Sequence, residues 1–233
     1  MSRRNTNIMI RTGLKDIPLN DWALDVLKPA EWFVQNENYK CVVLGGREKL
    51  RDANRWTGDE HLKEIMGQGR DHLGFPEHIT SYSFGYQNMK MEPGYDIAKF
   101  NRAAEKLQEV NQNIIKTLCL RRNALFAVYP PGGYISWHNN ANAPAYNLIF
   151  TWSEKGDGWF KYWDMKERKA VTFQDKPGWQ CKGGYFGPYK GPQDALCYHA
   201  ARTDCLRMTI AYTFNMDEMS IGIQDDVIED ISA

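Results

Sequence analysis

The sequence predicts a mainly β fold with supporting α-helices. After residue 121 the chain consists of short segments that are rich in aromatic and β-branched residues and are separated by turns. Several short strands at regular spacing are typical of a β-sandwich or barrel. Before that region, one long amphipathic pattern indicates a helix with an apolar face suited to packing on a sheet. We therefore expect residues 1–233 to form a single domain, with helices first and a β-core second.

Residues 1–120 are expected to support that core. Asn20 or Asp21 can cap a short helix, residues 39–44 resemble a brief strand, and residues 59–66 one or two helical turns. Residues 67–95 are predicted to be loop with a short strand over 79–86. The clearest element is a helix over 96–118, whose apolar positions recur every three or four residues: Ile97, Phe100, Ala104, Leu107, Val110, Ile114 and Leu118.

The predicted core spans residues 121–216. Its strands are expected at 124–129, 146–152, 159–163, 170–173, 180–186 and 207–214. In the last of these, Met208, Ile210 and Tyr212 alternate with less apolar residues, which is the period of a strand with one apolar face. Residues 217–233 form an acidic tail that we expect to lie at the periphery.

Composition restricts the class of protein. Lys plus Arg and Asp plus Glu both number 29, so the formal net charge is zero, which disfavours nucleic acid as an electrostatic partner. The five cysteines form no CxxC pair, which favours reduced thiols and a cytoplasmic location. No segment approaches the ~20 apolar residues of a membrane span, and the basic N-terminus lacks the apolar run of a secretory signal.

A candidate metal site begins at the turn over residues 129–133, which leads to His138 and then to Asn139 and Asn140. A second histidine, His199, lies near the other end of the predicted core. Alternate residues of a strand share a face, so residues 138 and 140 are expected to point the same way. Imidazole nitrogens suit iron, zinc, copper and nickel, and two histidines with a carboxylate on one face and open positions opposite suit non-haem Fe(II).

Residues 124–214 resemble the double-stranded β-helix (jelly-roll) core of the iron(II)/2-oxoglutarate-dependent oxygenases. The resemblance is carried by the order and spacing of several pieces. They are a Tyr-x-x-Gly turn leading to His138, a strand and glycine turn over 146–160, Pro177-Gly178 opening a further strand, His199, and an Arg-x-Thr strand that begins at Arg207.

The resemblance implies roles for these positions. His138 and His199 would bind Fe(II), with Asn140 at the third ligand position. Arg207 would pair with the distal carboxylate of the co-substrate 2-oxoglutarate, a task that suits a planar and permanently charged guanidinium, and Arg202 is a rival for that role. The remaining candidates for the co-substrate pocket are Thr209, Tyr129 and Asn147.

Asn140 departs from the family pattern, which has Asp or Glu at this position. An amide oxygen is neutral and a weaker ligand for Fe(II) than a carboxylate. The amide can still coordinate, or a water can fill the position. Alternatively a halide can enter, as in the family's halogenases, or a carboxylate can arrive from elsewhere, for example from Asp157 or Asp164.

By this resemblance the protein is expected to be a dioxygenase that converts 2-oxoglutarate and O₂ to succinate and CO₂. It would hydroxylate an unactivated C–H bond of a small molecule or an amino-acid or peptide substrate. The alternatives are a 2-oxoglutarate-dependent halogenase and a non-catalytic jelly-roll binding protein. Loops carry specificity in such folds, so residues 67–95 and 139–146 are expected to contact the substrate, and Trp137 to line its entrance.

Overall fold

The computed structural model describes residues 14–85, 89–141, 143–187, 196–215 and 218–233. The helices of this part of the chain are α1 (Asp21–Leu27), α2 (Ala53–Trp56), α3 (Asp59–Gly67), α4 (Ile97–Thr117) and α5 (Glu218–Ile231). The strands are β1 (Lys15–Ile17), β2 (Leu44–Gly45), β3 (Ile79–Ser83), β4 (Arg122–Tyr129), β5 (Tyr134–His138), β6 (Ala145–Ser153), β7 (Gly158–Asp164), β8 (Lys169–Gln174), β9 (Gly178–Phe186), β10 (His199–Thr203) and β11 (Arg207–Thr213).

The strands build a jelly roll from two antiparallel sheets. The larger sheet has the order β1-β9-β6-β11-β4-β3 and the smaller one the order β3-β5-β10-β7-β8. Strand β3 belongs to both, because Ile79 and Thr80 pair with β5 while Tyr82 and Ser83 pair with β4. The two sheets therefore form a nearly closed barrel, and the predicted fold class is confirmed.

Helix α4 covers the outer face of the larger sheet. It begins after Asp96, whose carboxylate accepts hydrogen bonds from the backbone N–H groups of Ala98 and Lys99. Its buried side chains, among them Leu107 and Ile114, belong to one apolar cluster with alternate residues of β6, β11 and β4. Each such side chain contributes about 1.5–3 kcal/mol on burial. The predicted helix over 96–118 is confirmed.

Strand β11 is buried on both faces. Met208, Ile210 and Tyr212 point toward the helices and join their apolar cluster. The intervening residues, which include Arg207 and Thr209, point into the barrel. The alternation in the sequence predicts one apolar face for this strand, whereas both of its faces are buried.

The outer face of the smaller sheet packs against α3. Trp137 is completely buried there with Leu62 and Ile65, and its indole N–H donates to the carbonyl of Thr57 at 3.0 Å. Neighbouring residues of a strand point to opposite faces, so Trp137 faces outward where His138 faces the barrel. The expectation that Trp137 lines a substrate entrance is wrong.

Several local expectations also need correction. Residues 39–41 belong to a 3₁₀ helix, Gln35–Cys41, Val42 forms an isolated bridge with Met91, and only Leu44 enters a strand. The segment expected as an acidic peripheral tail contains helix α5, whose Val227 and Ile231 are buried in the main apolar cluster. Acidic residues dominate the local composition, so the sequence pattern does not reveal that Val227 and Ile231 are buried. Within the described residues, no helix is both long and apolar enough to cross a membrane.

Candidate metal and anion site

A cavity of about 1010 Å³ lies inside the barrel. The residues predicted to form the site all line it: Tyr129, His138, Asn140, Asn147, His199, Arg207 and Thr209. The cavity walls also include parts of both loops expected to contact a substrate, Phe75 and Pro76 from one and Ala143 and Pro144 from the other. The structure therefore brings the predicted residues together, and their chemical roles stay a prediction.

His138 and His199 form a close pair at adjacent ends of two neighbouring strands. They are register partners of β5 and β10, and their ring centroids are 4.0 Å apart. Nδ1 of His138 lies 2.8 Å from the carbonyl oxygen of Ser136, and Nδ1 of His199 lies 2.9 Å from that of Cys197. A carbonyl only accepts hydrogen bonds, so the proton of each neutral ring is on Nδ1. Nε2 of each ring then keeps its lone pair.

Both imidazoles are held in the neutral form. Burial lowers the pKa of His138 to about 4, although the hydrogen bond to Ser136 opposes the shift. Burial also places the pKa of His199 well below its usual value, and the neighbouring His138 adds to that effect. Neutral imidazole is the form that binds a metal ion, so no proton has to leave before binding.

Asn140 lies beside this pair. Its backbone has a φ of 62°, in the left-handed region that asparagine tolerates better than most residues, and its side chain is near enough to His138 to oppose the lowering of the pKa of that histidine. The adjacent Asn139 is buried and holds the loop, because its side-chain oxygen accepts from the N–H of Ala141 at 3.1 Å. The turn that follows β5 thus places the amide of Asn140, and not that of Asn139, next to the histidines.

The two carboxylates considered as distant ligands lie elsewhere. Asp157 is exposed in the connection between β6 and β7. Asp164 closes the turn after β7 by accepting from the N–H groups of Lys166 and Glu167, both at 2.9 Å. Among the residues that the structure describes, no carboxylate or cysteine completes a three-residue metal-binding group with the histidines.

Arg207 supplies a buried cation to the same cavity. Its Nε donates to Asp175 at 2.8 Å, one terminal nitrogen donates to Thr209 at 2.6 Å, and the other lies 3.5 Å from the hydroxyl of Thr151. A guanidinium has five N–H donors, so these contacts leave one N–H on each terminal nitrogen. These two N–H groups, here called the fork of Arg207, can together bind a carboxylate.

Two charged residues around Arg207 are not among those predicted from the sequence. Asp175 and Lys182 are both buried, and one oxygen of Asp175 has no hydrogen-bond partner in the described structure. Lys182 donates to Gln180 at 3.2 Å, and burial together with the nearby Arg207 lowers the pKa of its ammonium group. Lys182 is the only charged residue of strand β9, and this was the available signal. Asp175 lies in a turn-like Gln-Asp-Lys-Pro-Gly stretch, and nothing in that stretch indicates that its side chain is buried beside Arg207.

Two further candidates contribute polar groups to the walls. Burial raises the pKa of Tyr129 to about 12, although Arg207 opposes the shift, so its hydroxyl stays protonated at neutral pH. The side chain of Asn147 donates to the carbonyl of Ala145 at 3.0 Å, which fixes its orientation. Arg202, the rival to Arg207, does not line the cavity; it pairs with Asp204 at 3.1 Å and hydrogen-bonds to Asn54.

This donor set fits a first-row divalent metal ion. The paired rings line the same cavity with their centroids 4.0 Å apart, so His138 and His199 could together hold one ion through Nε2. Each Nδ1–H is anchored by a backbone carbonyl, which is the usual way in which a protein orients a metal-binding histidine. The fork of Arg207, in the same cavity, fits the carboxylate of an organic anion.

Comparisons with known proteins give no family assignment by sequence: no model of a protein family matches the chain, and no curated protein is similar to it. Solved structures with a similar fold include a prolyl-4-hydroxylase from Pseudomonas putida, at 12% identity and a TM-score of 0.32 over 67% of this chain and 85% of that one. Another is a viral collagen prolyl hydroxylase from Paramecium Bursaria Chlorella virus-1 in complex with 2-oxoglutarate, at 11% identity and a TM-score of 0.32 over 68% and 91%. At these low identities and TM-scores, the similarity assigns no activity to this chain.

Proposed function

We propose that this protein is an iron(II)/2-oxoglutarate-dependent oxygenase that hydroxylates an unactivated C–H bond of a small molecule or an amino-acid or peptide substrate. The observation that carries the proposal is a single cavity with two kinds of binding group. One is the pair of neutral histidines, His138 and His199, and the other is the buried fork of Arg207.

The histidines act as the metal ligands in this proposal. His138 and His199 bind the ion through Nε2, while the carbonyls of Ser136 and Cys197 keep each Nδ1 protonated and each ring in place. Asn140 lines the same cavity, and in this proposal it offers a neutral amide oxygen as the third ligand. When bound, Fe(II) with 2-oxoglutarate and O₂ supplies the oxidising power for C–H hydroxylation, and 2-oxoglutarate leaves as succinate and CO₂.

Arg207 orients the co-substrate. Its two remaining N–H groups bind one carboxylate of 2-oxoglutarate, with the hydroxyl of Thr209 beside them. Asp175 fixes the guanidinium through Nε and so directs the fork into the cavity. Correct orientation of the co-substrate at the metal is the main catalytic contribution that such residues can make.

The apolar walls protect the reaction from water. Ile149, Phe160 and Phe186 line the cavity around the histidine pair, and the ring centroids of Phe160 and Phe186 lie 5.6 and 4.7 Å from that of His199. Water exclusion strengthens the electrostatic interactions within the site and suppresses side reactions of an oxidising centre.

Anaerobic reconstitution tests this proposal. Addition of Fe(II) and 2-oxoglutarate to the purified protein is expected to produce the weak visible charge-transfer band of the chelate, and admission of O₂ is expected to yield succinate. His138→Ala and His199→Ala should each abolish the band, whereas His78→Ala, a histidine outside the cavity lining, should keep it. Absence of both band and succinate in the unmodified protein would exclude the oxygenase.

A further inference from the structure

A second cationic region lies at the end of the cavity opposite Arg207. Arg121 and Arg122 are exposed and line the cavity where β4 begins, and Arg122 is the register partner of Thr213 at the end of β11. We call Arg121, Arg122 and Thr213 the cavity mouth. The backbone N–H of Arg121 donates to the carbonyl of Thr213 at 2.8 Å, which joins these residues into one rim.

The charges of the cavity have one sign. Arginine is the only charged residue type among the described residues that line it, and the three arginines are Arg121, Arg122 and Arg207. Neither Arg121 nor Arg122 has a carboxylate within ion-pair distance in the described part of the chain. The whole chain has no net charge, so this excess is local and raises the concentration of anions at the cavity.

Thr213 supplies an independent sign of a ligand. Its side chain is 6% exposed and lines the cavity, yet its hydroxyl has no hydrogen-bond partner among the described residues. A buried hydroxyl without a partner is destabilising because it has lost its hydrogen bonds to water. A ligand oxygen at the mouth would remove that destabilisation and would lie beside both guanidinium groups.

An anion at the mouth would be distinct from one at Arg207. The guanidinium of Arg207 lies against Thr209, and four residue steps of β11 separate Thr209 from Thr213, which corresponds to about 13 Å of strand. A five-carbon dicarboxylate, with C–C bonds of about 1.5 Å, is shorter than that. The two cationic groups therefore lie at separate positions along the cavity, and 2-oxoglutarate held between Arg207 and the histidines would leave the mouth to a different ligand.

The outer part of the cavity wall includes apolar residues. Phe75 lines the cavity although its side chain is 65% exposed, and Pro76 and Leu125 lie in the same lining. An exposed aromatic ring at the rim of a cavity is typical of a ligand-contact surface. A ligand that matches the whole outer half thus has an apolar part and an anionic end.

We propose that the cavity mouth binds the anionic end of an amphipathic substrate, a carboxylate or a phosphate monoester, through Arg121, Arg122 and the hydroxyl of Thr213. The word substrate rests on the proposed oxygenase function, whereas the anion site does not. Arginine pairs bind both kinds of oxyanion through charge-assisted hydrogen bonds.

Calorimetric titration with three probes tests the proposal without iron or 2-oxoglutarate. The probes are 4-phenylbutanoate, 2-phenylethyl phosphate and the neutral 4-phenylbutanamide. In the unmodified protein the anions are expected to bind at least about tenfold more tightly than the amide. The relative affinity of the carboxylate and the phosphate identifies which of the two oxyanions the mouth prefers.

Variants locate the binding. The double variant Arg121→Gln/Arg122→Gln should weaken anion binding by about tenfold and leave the amide unchanged. Thr213→Val should weaken anion binding by several-fold, and Thr213→Ser should restore it. The matched control Lys99→Gln/Arg102→Gln removes two exposed cations from α4 and should bind both anions like the unmodified protein.

Three results would overturn the anion site. They are no anion binding at millimolar concentration, equal binding of anion and amide, and loss of binding in Arg207→Met but not in the Arg121/Arg122 variant. The last result would place the anion at the inner end. Succinate formation is measured separately, so a failed oxygenase assay with retained mouth binding rejects the proposed function and keeps the anion site.

Discussion

Replacement of Asp175 by asparagine tests the buried charge arrangement that holds Arg207. The pair is 2.8 Å long, and its side chains are 2% exposed for Arg207 and 0% for Asp175. An arginine keeps its charge in a protein interior, so the variant leaves a buried guanidinium without a counter-charge, with Lys182 also buried nearby. Removal of one partner from a buried pair costs about 3–5 kcal/mol.

That cost is large compared with the total stability of a domain, about 5–15 kcal/mol. For a chain of this size it corresponds to a decrease in Tm of about 6–20 °C. Urea unfolding monitored by tryptophan fluorescence, together with a thermal scan, measures the change in the free energy of unfolding.

The matched control is Asp204→Asn. Asp204 also pairs with an arginine, Arg202, at 3.1 Å, but its side chain is 66% exposed. Exposed pairs contribute about 0–1 kcal/mol because water and salt screen them. If Asp175→Asn destabilises the protein no more than Asp204→Asn does, the inferred cost of the uncompensated buried charge is refuted.

Two further predictions concern the histidine pair. In the metal-free protein His138 has a pKa lowered from 6.5 to about 4, so the unfolded state binds its proton first as the pH falls. The free energy of unfolding should therefore decrease between pH 6.5 and pH 4, and His138 should account for about 3 kcal/mol of that decrease. Urea unfolding of His138→Gln should show a weaker pH dependence than that of the unmodified protein. An equal pH dependence in the two proteins would contradict the lowered pKa of His138. Asn140→Asp should bind Fe(II) as tightly as the unmodified protein or more tightly, because a carboxylate is the stronger ligand, and weaker binding in an anaerobic titration would show that residue 140 does not face the metal.

The fold was predictable where local pattern and tertiary environment agree. The apolar stripe of α4 and the alternation of β11 have the periods of a helix and a strand, and the structure contains both. The strands β5 and β10 were harder to recognise because their residues are buried on both faces or carry site residues, so neither shows a clean alternation. Helix α5 was missed because its many acidic residues conceal a few buried apolar ones.

The site was predictable as a set of positions and not as an electrostatic network. The spacing of the turn, the histidines and the Arg-x-Thr strand identified residues that now line one cavity. Asp175, in contrast, meets Arg207 only through the packing of distant strands, and no spacing rule connects them. The cavity mouth could not be predicted from sequence spacing either, because Arg122 and Thr213 come together only through strand register. The outward direction of Trp137 follows from that of His138, an inference available from strand geometry alone.

Metal titration tests the central claim most directly, because the account requires one ion bound by both His138 and His199. Anaerobic titration with Co(II), whose visible absorption reports its ligands, should give one ion per chain. His138→Ala and His199→Ala should each abolish that binding, and His78→Ala should leave it intact. Binding of Co(II) that persists in both alanine variants, or no binding by the unmodified protein, would contradict the proposed metal site.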